Sequence, residues 1–148
     1  MNAKTILFPT DFSSLSDAAL EHATALALNI HAKLLIVHVT EPAAIYGAGE
    51  MYYGVPEPDD SALQAMLLDL KPSDPRVSCE HRLTKGSPAA EIVRLAEEIG
   101  AEMIVMGTHG RTGLGHFLMG SVAEAVVRRA KCPVLTVKSP QVPQPLLD

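Results

Sequence analysis

The chain has 148 residues, 47% of them hydrophobic, and a formal net charge of −5 at pH 7. This length suits one domain, and the acidic balance argues against nucleic acid as the main partner. No apolar run is long enough to cross a membrane, and the N-terminus lacks the apolar core of a signal peptide, so we expect a cytoplasmic protein without membrane contact. The two cysteines, Cys79 and Cys132, have no metal-like spacing and are expected to be free thiols.

The first predicted strand is the short apolar run Thr5 to Phe8, which Pro9 stops. The residues from Pro9 to Ser14 would then form a loop at the carboxyl end of that strand, which is where open α/β sheets bind ligands. Asp11 is the candidate functional side chain of this loop. Its chemistry leaves two interpretations open, because an aspartate here can contact a ligand or simply close an Asx-turn near the next helix.

Apolar residues at helical spacing predict an amphipathic helix from Ser14 to Ile30, opened by a capping box of Ser14 and Asp17. The run Lys33 to Val39, written KLLIVHV, predicts the second strand. His38 interrupts this run, and a lone histidine in a strand is more often a core or surface residue than a ligand. The backbone at the end of the strand is a place where a base can form hydrogen bonds.

A long irregular segment follows from Glu41 to Asp60. It contains every tyrosine of the chain, namely Tyr46, Tyr52 and Tyr53. Three interpretations stay open for it: a cover over a bound ligand, a contact with a second subunit, or a plain surface loop.

Three further elements are predicted before the most informative stretch. The residues from Ser61 to Leu70 predict a short helix, and the alternation from Arg76 to Leu83 predicts a half-exposed strand at a sheet edge. A second amphipathic helix begins with Ser87 as its N-cap and Pro88 as its first residue, and Gly100 ends it.

The stretch from Gly107 to Ser121, GTHGRTGLGHFLMGS, holds five glycines in fifteen positions. It joins a predicted strand, Met103 to Met106, to a predicted helix that begins at Ser121 and whose Glu124 completes a capping box. Glycines let a ligand approach the backbone, and a helix N-terminus favours anions. The stretch therefore predicts a phosphate site, with a merely structural turn as the alternative, although it matches neither a P-loop nor a dinucleotide motif.

The last helix is predicted from Ser121 to Ala130 and the fifth strand from Pro133 to Lys138. Strands that alternate with helices indicate an α/β fold, a single-domain open parallel sheet of five strands with helices on both faces. The domain is expected to cover residues 1–138. The tail, residues 139–148, has three prolines and no core pattern, and we expect it to be flexible.

At these residues the chain resembles the universal stress protein family, whose nucleotide-binding members carry G-x-x-G, nine residues, and then G-[ST]. The motif is present here as Gly107, Gly110, Gly120 and Ser121. The resemblance continues from an opening ILFPTDFS to a closing KCPVLTVK. It implies a Rossmann-like sheet, similar to the adenine nucleotide alpha hydrolases, with strand order 3-2-1-4-5. In that order Asp11 and the glycine stretch would meet at one crevice.

The resemblance also implies the ligand, which is ATP with Mg²⁺ held mainly by the phosphates rather than by protein side chains. The base and ribose would lie near Val39 and Asp11, and the phosphates would lie on the backbone of the glycine stretch and on the Ser121 hydroxyl. The complete predicted site consists of Pro9, Thr10, Asp11, Val39, Met106, Gly107, His109, Gly110, Gly120, Ser121 and Val122.

A nucleotide-dependent module for stress response or signalling, dimeric through the strand at residues 133–138, is the function that the resemblance implies. No carboxylate or histidine has a spacing that commits it to activating water, so we expect slow ATP hydrolysis at most. A nucleotide-independent dimeric interaction module and a flavodoxin-like enzyme or electron carrier are the alternatives. The intact glycine motif argues against the interaction module, whereas the absence of tryptophan and the placement of all tyrosines in one segment give only thin support to the flavodoxin-like alternative.

Overall fold

The computed structural model describes residues 3–42, 60–108 and 119–138. Within these ranges strands and helices alternate in the order β1 (Lys4–Pro9), α1 (Ser14–Ile30), β2 (Ala32–Thr40), α2 (Asp60–Asp69), β3 (Cys79–Lys85), α3 (Pro88–Ile99), β4 (Met103–Gly107), α4 (Ser121–Arg129) and β5 (Val134–Val137). The strands form one parallel sheet in the order β3-β2-β1-β4-β5. The predicted fold class and strand order are confirmed.

The sheet is buried on both faces, which explains why its central strands read as continuous apolar runs. Successive side chains of a strand point to opposite faces. Ile6 and Phe8 accordingly pack with α1 and with Leu67 of α2, whereas Leu7 packs on the other face with α3 and with Val126 of α4. Two apolar clusters, one on each face, therefore hold the helices against the sheet.

The predicted bounds of α1, Ser14 and Ile30, are confirmed, but its N-cap lies one residue earlier than predicted. Ser13, with extended backbone angles, is the N-cap, and its hydroxyl accepts a hydrogen bond from the Ser16 N–H. Ser14 is already the first helical residue, so the predicted capping box of Ser14 and Asp17 is wrong. The preceding Phe12 has a left-handed φ of 65°, which turns the chain so that Ser13 rather than Ser14 enters the helix extended.

Helix α4 begins at Ser121 as predicted, and its N-cap likewise lies one residue earlier than predicted. Gly120 is the N-cap and Ser121 is the first helical residue, so the predicted capping box of Ser121 and Glu124 is also wrong. Helix α3 follows the prediction, with Ser87 as N-cap, Pro88 at the first position and Gly100 as a left-handed C-cap.

Strand β3 begins at Cys79 rather than at Arg76, because a turn occupies the preceding residues. The Asp74 carbonyl accepts the Val77 N–H at 3.1 Å, and the Asp74 carboxylate accepts the Arg76 N–H at 2.9 Å. Strand β3 also ends two residues later than predicted, at Lys85 rather than Leu83, whereas the ends of the other elements agree with the structure to within one residue. None of the helices in the described ranges is long and apolar enough to span a membrane.

Candidate functional site

The candidate site lies at the carboxyl edge of the sheet, where β1 pairs with β2 on one side and with β4 on the other. From β1 the chain passes through α1 to β2, whereas from β4 it passes through α4 to β5. These two connections leave in opposite directions and cover opposite faces. A crevice at such a reversal of strand order is the usual ligand position in open α/β sheets.

The segment that follows β1 forms one wall of this crevice. The Thr10 N–H donates to the Val37 carbonyl at 2.8 Å, which extends the pairing of β1 with β2 by one residue. The Asp11 Oδ1 atom accepts hydrogen bonds from the Ser13 N–H at 2.9 Å and from the Ser16 hydroxyl at 2.8 Å. The Asx-turn interpretation of Asp11 is therefore confirmed, and it fixes the carboxylate at the end of β1.

Two residues that the sequence interpretation set aside also build this wall. The Nδ1 atom of His38 lies 2.7 Å from the Thr10 carbonyl oxygen. Its imidazole ring packs on the ring of Phe12, with centroids 4.4 Å apart. The only available sequence signal was that His38 interrupts a buried apolar run, and this signal does not name a partner.

The opposite wall is organised around Thr108, which is only 4% exposed. Its N–H donates to the Val137 carbonyl at 3.0 Å, and its own carbonyl accepts the Gly120 N–H at 2.6 Å. The end of β4 is thereby joined directly to β5 and to the start of α4. Sequence analysis missed Thr108, since nothing in its local pattern identifies a partner twelve positions away.

The N-terminus of α4 carries no side-chain cap, because Gly120 occupies the N-cap position. Helical geometry also leaves the N–H groups of residues 121–123 without intrahelical acceptors. Ser121 is exposed in this first turn. Val122 and Val39 both pack against the apolar cluster that contains Met106, so that an apolar surface adjoins the donors.

Nine of the eleven predicted site residues belong to the described part of the chain, and the fold distributes them over three neighbouring strands and one helix start. Pro9, Thr10 and Asp11 follow or end β1, Val39 lies near the end of β2, Met106 and Gly107 end β4, and Gly120, Ser121 and Val122 open α4. His109 and Gly110 lie outside the described residues, as do Tyr46, Tyr52, Tyr53 and the tail. Ligand binding by any of these residues stays a prediction.

The described ranges contain no group of three or more His, Cys, Asp or Glu side chains that could hold a metal ion. Two open surface depressions, of about 250 and 280 Å³, lie away from the crevice. Lys33 and Arg76 border the second of them, but Lys33 is paired with Glu80 at 3.1 Å and Arg76 with Asp74 at 2.7 Å. The hydrogen bonds from Arg76 lower the pKa of Asp74 to about 2. These cations are therefore already engaged.

Comparison with known proteins agrees with this architecture. Residues 2–138 match the model of the Universal stress protein family. Universal stress protein MJ0531 of Methanocaldococcus jannaschii is 37% identical over an alignment of 142 residues, and the match covers 93% of this chain and 84% of the relative.

Solved structures agree as well. The structure of MJ0577, from the same organism, is 31% identical with a TM-score of 0.73, covering 96% of this chain and 100% of its own. A universal stress protein solved in complex with cAMP is 27% identical with a TM-score of 0.67, covering 93% of this chain and 98% of its own. On the strength of the family match and the identity to its members, this chain belongs to the universal stress protein family.

Proposed function

We propose that the chain is an ATP-binding module that carries Mg²⁺ on the bound phosphates and acts as a cytoplasmic homodimer in stress-response signalling. The observation that carries the proposal is the uncapped N-terminus of α4, which the hydrogen bond between Gly120 and Thr108 holds at the strand-order reversal. A relative with the same fold binds an adenine nucleotide, cAMP.

Glycine at the N-cap supports a phosphate ligand. Its φ of −61° and ψ of 159° are open to any residue, so the backbone does not require glycine there. A serine, threonine or aspartate at an N-cap would itself bond the first-turn N–H groups. Glycine leaves those donors to a ligand, and the helix dipole adds to their attraction for an anion.

The charges around the helix start are compatible with this ligand. Glu124 is an acidic residue in the first turn, but its carboxylate lies 3.6 Å from the Arg128 guanidinium one turn further along. The exposed hydroxyl of Ser121 adds a side-chain donor to the backbone ones.

The remaining residues fit a nucleoside. Val39, near the end of β2, supplies apolar contact for a purine ring. On β1 the Asp11 carboxylate, held by its turn, offers an acceptor to which a ribose hydroxyl can donate. We infer that the base and ribose lie along β1 and β2, with the phosphates at α4.

The edge strand β5 supports the dimer. Leu135 is 40% exposed on a strand whose outer side pairs with no other strand of the described chain. An apolar, unpaired edge favours association with a second copy.

Calorimetric titration of ATP with Mg²⁺ into wild type, Gly120→Ser and Gly120→Val proteins tests the proposal. The serine is expected to cap α4, which raises stability by a few tenths of a kcal/mol, while it competes with phosphate and weakens binding. The valine is expected to weaken binding at least about tenfold by covering the first-turn donors, a loss of about 1.4 kcal/mol. Absence of binding by the wild type would overturn the proposal and favour the nucleotide-independent interaction module.

A further inference from the structure

We propose that His38 is the positioning residue of this site, because its Nδ1–H holds the Thr10 carbonyl and so fixes the segment from Thr10 to Ser13. The role assigned to this segment in ligand binding rests on the proposed function. The effect of His38 on the segment itself rests only on the geometry described here.

The hydrogen bond identifies which ring nitrogen of His38 is the donor. The His38 Nδ1 atom and the Thr10 carbonyl oxygen are 2.7 Å apart, and a carbonyl oxygen can only accept. The Nδ1 atom therefore carries a proton and is the donor of this bond.

This bond replaces a sheet hydrogen bond. The pairing of β1 with β2 ends at Pro9 and Val37, and the Thr10 N–H still donates to the Val37 carbonyl. The Thr10 carbonyl is instead taken by the side chain of the next β2 residue, His38. The main chain after Thr10 is thus free to leave the sheet while both polar groups of Thr10 keep partners on β2.

The turn that follows is built on Thr10. The Phe12 N–H donates to the Thr10 hydroxyl at 3.0 Å, and Phe12 itself adopts a φ of 65° that is costly for a residue with a side chain. The ring of Phe12 rests against the imidazole of His38. The Asp11 carboxylate then accepts the Ser13 N–H. Loss of the bond that holds Thr10 would therefore let Phe12 leave its strained conformation, and the Asp11 carboxylate would lose its fixed position.

A second histidine offers a matched control. The Nε2 atom of His81, on the neighbouring strand β3, lies 2.6 Å from the Leu70 carbonyl oxygen. This bond is also partly buried, and it ties β3 to the end of α2 rather than to the crevice. Loss of the His81 bond measures the stability that is lost when a partly buried hydrogen bond from a histidine to a carbonyl is removed away from the crevice.

The two histidines use different ring nitrogens. Amide side chains of different length can therefore replace one donor without replacing the other. The amide nitrogen of asparagine is as many bonds from Cα as Nδ1 of histidine, and that of glutamine as many as Nε2. H38N therefore keeps the donor to Thr10, whereas H38Q displaces it by one bond. Both variants remove the ring contact with Phe12, so their difference isolates the hydrogen bond. H81N removes the donor to Leu70 and serves as the control.

Amide hydrogen exchange in the ligand-free proteins is the first measurement. We expect the Phe12 and Ser13 amides to exchange about tenfold faster in H38Q than in H38N, since loss of the bond to the Thr10 carbonyl favours local opening of the turn. H81N is expected to leave both amides within about twofold of wild type, the change expected of a distant site. Equal exchange in H38Q and H38N would overturn the positioning role.

Titration with ATP and Mg²⁺ is the second measurement. We expect H38Q to bind about tenfold more weakly than H38N, and H81N to bind like the wild type. The reason is that Thr10, the partner of His38, lies in the crevice, whereas Leu70, the partner of His81, does not. Equal weakening by H81N and H38Q would show a general loss of stability and overturn the inference. A wild type that binds no nucleotide would overturn the proposed function, and the exchange measurement would still decide the role of His38.

Discussion

The Ser16 hydroxyl forms two hydrogen bonds with Asp11, one as donor and one as acceptor. The Ser16 Oγ atom donates to the Asp11 Oδ1 atom at 2.8 Å and accepts from the Asp11 N–H at 3.4 Å. Ser16 is only 7% exposed, so its hydroxyl has little water to replace these partners. The orientation of the carboxylate is thus set by the first turn of α1, and not by the loop alone.

Ser16→Ala removes this hydroxyl, so the Asp11 N–H and the Asp11 carboxylate each lose one hydrogen bond. We expect the free energy of unfolding to fall by about 1 kcal/mol, as measured by urea denaturation, and the affinity for ATP to fall as well. Ser14→Ala is the control, because Ser14 is exposed in the same turn, and its effect should stay within about 0.5 kcal/mol. Equal stability of the two variants would contradict the role given to Ser16.

Elements were predictable where a local pattern decides them. The apolar runs of β1, β2 and β4 and the Ser87-Pro88 start of α3 were all recognisable, because burial on both faces and fixed proline geometry leave a mark on the sequence itself. The glycine motif likewise predicted a phosphate site between the end of β4 and the start of α4, and ligand binding there stays a prediction.

Other features depend on contacts between distant residues. The bond from His38 to Thr10 spans 28 positions, and its existence depends on how β1 and β2 align. The N-caps of α1 and α4 were misassigned by one residue for a related reason, although both helix starts were predicted correctly. The position of a cap is decided by the backbone angles of the residue that enters the helix, as at Ser13 and Gly120, and these angles follow from the preceding turn.

Gly100 provides a test at the scale of one helix end. It adopts a φ of 63° as the C-cap of α3, and a Cβ atom built on it meets no atom within 4 Å. Gly100→Ala is therefore expected to cost only the backbone penalty, about 1 kcal/mol of unfolding free energy. Gly100→Asn should cost less, since asparagine tolerates this conformation. Chemical denaturation of both variants checks the order, and a loss from asparagine as large as that from alanine would contradict it.

The whole molecule has a sheet with two different edges. At one edge β3 exposes Glu80 and Arg82, and Glu80 pairs with Lys33 at 3.1 Å. Charged side chains of this kind prevent strand-to-strand association. At the other edge β5 exposes Leu135. The asymmetry predicts that association uses β5 and leaves β3 in water.

Leu135→Lys places a charge on the apolar edge and is expected to convert the proposed dimer to a monomer in sedimentation at micromolar concentration. Met66→Lys is the matched control, because Met66 is 45% exposed on α2, compared with 40% for Leu135 on β5. It should leave the dimer intact. A monomeric wild type under the same conditions would contradict dimerisation through β5.

Thr108 has a consequence for protein engineering. Its carbonyl accepts the Gly120 N–H at 2.6 Å, so the chain leaves the sheet and re-enters the fold at nearly one point. The residues between Thr108 and Gly120 can therefore be replaced while both anchoring residues stay in place. Stretches grafted from other family members between Thr108 and Gly120 are therefore expected to leave the scaffold folded.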